Sequence, residues 1–67
     1  MNNTIEQKKQ NNYELFFNTI KTLSNSQGHY ERLFNSLINM NKDERLELIN
    51  NLPSFNDTLD VIMWLEQ

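Results

Sequence analysis

The sequence holds no cysteine and only one glycine, one proline, one histidine and one tryptophan in 67 residues. Without cysteine there are no disulfides to staple a small chain, no thiolate metal sites and no Cys–His nucleophile. A single glycine cannot build a phosphate-cradling loop. One histidine, His29, with scattered carboxylates gives thin support for a metal centre, so neither metal nor cofactor is expected. The longest apolar run, "VIMWL", falls far short of the ~20 residues a membrane span requires. No secretory signal is recognisable, and together with the lack of cysteine this makes a cytoplasmic setting the expectation. A chain of this size buries only about 60% of its unfolded surface, so tight helix packing or self-association must supply stability.

Charge is modest in total, −3, but uneven. Residues 1–42 carry Lys8, Lys9, Lys21, Arg32 and Lys42 against Glu6, Glu14 and Glu31, a balance of +2. Residues 43–67 carry Arg45 against Asp43, Glu44, Glu47, Asp57, Asp60 and Glu66, a balance of −5. No basic stripe for phosphates is present. The acidic half is either a solvated face or a lure for a basic partner. Asparagine is abundant, twelve from Asn2 to Asn56. The polar tracts "MNN" and "QNN" predict fraying over residues 1–10 of an otherwise single domain, 1–67.

Apolar residues recur at steps of three and four, and no run alternates as a strand would, so the fold class expected is all-α, a compact three- to four-helix bundle. The first helix opens at "TIEQ", with Thr4 as cap and Gln7 as its capping-box partner. Tyr13, Phe16, Phe17, Ile20 and Leu23 then share one side, and Asn25 is a candidate left-handed stop. A second helix, capped by Ser26, carries Tyr30, Leu33, Phe34, Leu37 and Ile38 on its inner stripe. A third is capped by Asn41, with Asp43 and Glu44 in the turn where the helix dipole favours negative charge. Leu46 and Ile49, with Leu48 and Leu52, are its core candidates, and Pro53 ends it. The last helix is capped by Asp57. Its Leu59, Val61, Ile62, Met63, Trp64 and Leu65 make it apolar nearly all round, which in so small a protein means that part of the ring wraps under the first helix or faces a partner.

Gly28 stands in front of the second stripe, where a helix position costs about 0.5–1 kcal/mol relative to alanine. Three readings account for it. A neighbouring helix packs directly on its backbone; or Ser26 caps and leaves Gly28 in a tolerant first turn; or a partner presses on it beside His29 and Arg32. The expectation taken forward is a tight crossing between the first two helices.

The stretch "SQGHYERL", residues 26–33, together with "DVIMWLE", residues 60–66, resembles a pattern in small proteins of phages, plasmids and other mobile elements. The matched positions are Ser26, Gln27, Gly28, Tyr30, Arg32, Asp60, Trp64 and Glu66; His29 departs from it, an aromatic being common there. The resemblance covers residues 26–67 and implies a mobile-element setting without any particular chemistry. On the matched set, Arg32 pairs with Asp60 or Glu66 across two helices, as a register device if partly buried.

Catalysis is not expected. Ser24, Ser26 and Ser36 near His29 read as caps and surface residues, and the acidic pairs read as helix starts. The function expected is therefore that of a non-enzymatic phage or mobile-element accessory protein that binds and inhibits a host protein. A defence nuclease is one such target, by analogy with anti-CRISPR proteins. Gln27, Gly28, His29, Arg32 and Trp64 are the partner-binding candidates, and residues 58–66 offer a homodimer seam. The alternative is a small DNA-associated regulator with a helix-turn-helix through "NMNKDE". Against it, Asp43, Glu44 and Glu47 would meet phosphates on the recognition helix.

Overall fold

The computed structural model describes residues 4–67, with side chains from Gln7 onward. Among these residues the fold is all-α. A long helix α1 (Thr4–Ser26) leads into a 3-10 turn (Gly28–Tyr30) and three short helices, α2 (Glu31–Ile38), α3 (Lys42–Asn51) and α4 (Thr58–Leu65). The expected Thr4 cap rests on a side chain outside the described residues.

The long helix is a spine. At 1.5 Å per residue its 23 residues extend about 34 Å, most of the molecule's 40 Å long axis. The turn and all three short helices pack on α1 more than on one another. The stripe read from the sequence is what they pack against: Tyr13, Phe16, Ile20 and Leu23 are buried and Phe17 is half-buried. Phe16 and Ile20 meet Leu37 from α2 and Val61 from α4 in the central cluster. One polar residue shares this face. Thr19 is buried, and its hydroxyl donates to Leu15 O at 2.8 Å within the same helix, which removes the cost of an unpaired polar group.

The starts of α3 and α4 match the sequence expectation closely. Asn41 and Glu44 form a reciprocal capping box: Glu44 N–H donates to Asn41 Oδ1 at 2.8 Å, and Asn41 N–H donates to Glu44 Oε1 at 3.0 Å. Asp57 caps α4 by accepting from Asp60 N–H at 3.1 Å. α3 ends before Pro53, with Leu52 already extended.

The corner between α1 and α2 differs from expectation. Among the described residues none has a positive φ, so Asn25 is not a left-handed stop. The helix runs on to Ser26 and is broken by extended backbone at Gln27. Ser26 does not cap the second helix, because its hydroxyl donates to Thr22 O in its own helix, 3.1 Å away. Gly28 is not a tight crossing. Apart from its immediate chain neighbours, no atom lies within 4 Å of where a Cβ would stand, and its backbone needs no left-handed conformation. The chain turns by the 3-10 geometry of residues 28–30, anchored by buried Tyr30, and not by close backbone approach.

Two core expectations also fail. Ile38 is 53% exposed, because it sits about 100° round the helix from Leu37, beyond the narrow sector a two-turn helix can bury. Leu46 is 47% exposed, and no residue of α3 is fully buried. α3 lies near Lys8, Lys9, Gln10 and Asn12, where α1 is itself polar and has little apolar surface to offer in return.

Candidate interaction surface

The five candidate residues divide between two regions. Gln27, Gly28, His29 and Arg32 are all exposed at the corner where α1 gives way to α2. The His29 ring leans on Tyr30, with centroids 4.1 Å apart. Gly28, His29 and Arg32 share an open surface with Glu31, Asn35, Ser36 and Asn39. Those residues recur at three- and four-residue steps, so this surface is the solvent side of α2, opposite Leu33 and Leu37, and no other helix walls it. No residue of α4 borders it. Asp60 does not reach for Arg32; one of its carboxylate oxygens accepts from Asn56 N–H at 2.8 Å, in the turn that leads into α4.

Trp64 belongs to the other region. Its ring stands edge-on to Phe16, at 5.9 Å, and to Phe55, at 5.8 Å, while those two rings stack 6.0 Å apart. Such edge contacts hold an indole in one orientation and contribute about 0.5–1.5 kcal/mol per pair beyond burial. Trp64 nevertheless stays 38% exposed, and Leu59 and Met63 on the same helix are 60% exposed each. The rotation of α4 is set by Val61, which is completely buried. At 100° per residue this turns Leu59, Met63 and Glu66 outward as one stripe, with Asp60 and Trp64 on its flank. Part of the apolar ring, through Val61, therefore lies under α1 as expected, and the opposite side is uncovered.

Nothing in the sequence singles out Leu59 and Met63 as the uncovered pair. With apolar residues all around the helix, no period distinguishes an inner from an outer side.

A residue outside both regions fixes α4 in place. The Asn12 side chain donates through Nδ2 to Pro53 O at 2.8 Å and accepts through Oδ1 from Phe55 N–H at 2.8 Å. One side-chain amide thus pairs a carbonyl and an N–H of the linker between α3 and α4, and it delivers Phe55 to Phe16 and Trp64. Lys9 Nζ adds a 3.2 Å bond to Asn50 Oδ1 at the end of α3. Nothing in the sequence distinguishes Asn12 from its eleven fellow asparagines.

Among the described residues no group of three or more His, Cys, Asp or Glu side chains converges, and no helix is long and apolar enough to cross a membrane. α2 and α3 each pack on α1 more than on each other. The site and fold together define a small all-α protein with an uncovered apolar helix face. No protein-family model matches the chain, and no curated protein or solved structure does either.

Proposed function

We propose that this chain is a non-enzymatic accessory protein of a phage or mobile element that acts in the host cytoplasm by binding a host protein and blocking it. A defence nuclease, as for anti-CRISPR proteins, is the class of target in view. The observation that carries the binding role is the outer side of α4, where Leu59, Met63 and Trp64 are exposed together on one short helix. Apolar residues scattered singly over a surface need no explanation, but an exposed apolar pair one turn apart, with an oriented tryptophan on its flank, has the composition of an interface core. The mobile-element setting comes from the resemblance of residues 26–33 and 60–66 to such proteins.

The test is affinity capture from host lysate with the intact protein, run beside Met63→Ser, together with a duplex-binding titration. Capture of one host protein by the wild type, reduced by the variant and accompanied by loss of that protein's activity, supports the reading. Binding to random duplex at low salt that weakens steeply as salt rises would replace it with a DNA-associated regulator.

A further inference from the structure

Resting on that reading, we infer that the occupant of the α4 face is a basic, amphipathic protein segment: an apolar stripe flanked by lysine or arginine. Leu59 and Met63 lie one turn apart, and Glu66 continues their stripe, with Asp60 alongside and Asp57 at the helix start. The apolar strip is thus bordered by carboxylates at both ends. Nothing in the same stretch offsets them, since residues 46–67 contain no lysine, arginine or histidine. An approaching surface must therefore offer apolar side chains in the middle and positive charge at the rim. Such complementarity sets both the rate of encounter and the choice of partner.

The same charges count against a second copy. A two-fold pairing of α4 helices places Asp57 and Asp60 of one chain against Glu66 of the other, or like against like, with no cation to intervene. Like charges juxtaposed across an interface cost several kcal/mol. The area is also too small. An eight-residue helix is about 12 Å long, whereas a stable interface takes about 800 Å² from each partner. A partner able to continue past α4 does not meet this limit.

The probe is a synthetic helix of about 18 residues, long enough to be helical when bound, with leucines on one face and lysines on both flanks. Two controls accompany it: the same helix with glutamates on the flanks, and a scrambled order of the lysine peptide that destroys the apolar face. Trp64, the chain's single tryptophan, reports binding through its emission. The lysine-flanked helix is expected to bind at least about tenfold more tightly than either control. Met63→Ser and Leu59→Ser should each weaken it severalfold with helicity unchanged, and Glu66→Gln should weaken it and flatten its salt dependence. Equal binding of the scrambled peptide, or indifference to both Met63→Ser and Leu59→Ser, would overturn the inference in favour of diffuse charge attraction. Sedimentation showing a dimer that Met63→Ser dissolves would overturn it in favour of a second copy. Lysate capture through α4 of a partner whose contacting surface is uncharged or acidic would sink this inference and leave the binding role standing. Peptide binding at α4 without any host capture would do the reverse.

Discussion

At the scale of single residues, the two most informative positions are one that matters less than its rarity implies and one that matters more. Gly28 looks indispensable in a chain with no other glycine, yet the space beside it is open and its backbone is ordinary. Gly28→Ala should therefore leave the fold intact and stabilise it by about 0.4–1 kcal/mol, by restricting the unfolded chain. A melting temperature raised by a few degrees is the check. Asn12 is the opposite case. Asn12→Ala leaves Pro53 O and Phe55 N–H of the linker between α3 and α4 without their partner, and should cost about 1–3 kcal/mol in urea denaturation. Asn12→Asp keeps the bond from Phe55 N–H and loses the one to Pro53 O, so it should fall between wild type and alanine. Neither role is legible in the sequence. Sequence reading weighs a residue by rarity and local pattern, whereas Asn12 acts across 41 and 43 positions on backbone atoms that carry no side-chain signature.

At the scale of elements, legibility tracks the contrast between apolar and polar sides. The α1 stripe and the caps Asn41 and Asp57 can be read because each is a local pattern with a local cause. Asn41→Ala should cost about 1 kcal/mol, measured by chemical denaturation, since the capping box is complete on both sides. The α4 rotation cannot be read, because a helix apolar all round gives no direction, and burial of Val61 supplies it only in three dimensions. Ile38 and Leu46 mislead for a related reason. Periodicity says which residues share a side, but it does not say how wide a sector the neighbouring helix covers. Where α3 meets the polar start of α1, that sector is narrow.

At the scale of the whole molecule, one helix carries the architecture. α2 and α4 meet it at Phe16 and Ile20 through Leu37 and Val61, and Leu48 of α3 packs at the edge of that cluster, so damage there should not stay local. Ile20→Ala is expected to cost about 2–5 kcal/mol, against a total stability of about 3–10 kcal/mol for a domain of this size. Circular dichroism of this variant should show collapse of helicity throughout, not the loss of a single element. The helical class is visible from composition and spacing alone. The arrangement is not, because which short helix lies on which stretch of α1 depends on long-range contacts such as Asn12 to the linker and Lys9 to Asn50.

The grip of Asn12 also makes the Phe55 amide a timekeeper. That proton is held by a side chain from the far end of the chain and belongs to no helical ladder, so its exchange with deuterated solvent records the linker lifting off α1. If α4 is released only when the whole domain opens, Phe55 will exchange in step with Ile20. If the linker has a hinge of its own, Phe55 will exchange sooner, and the face containing Leu59 and Met63 will be one that swings.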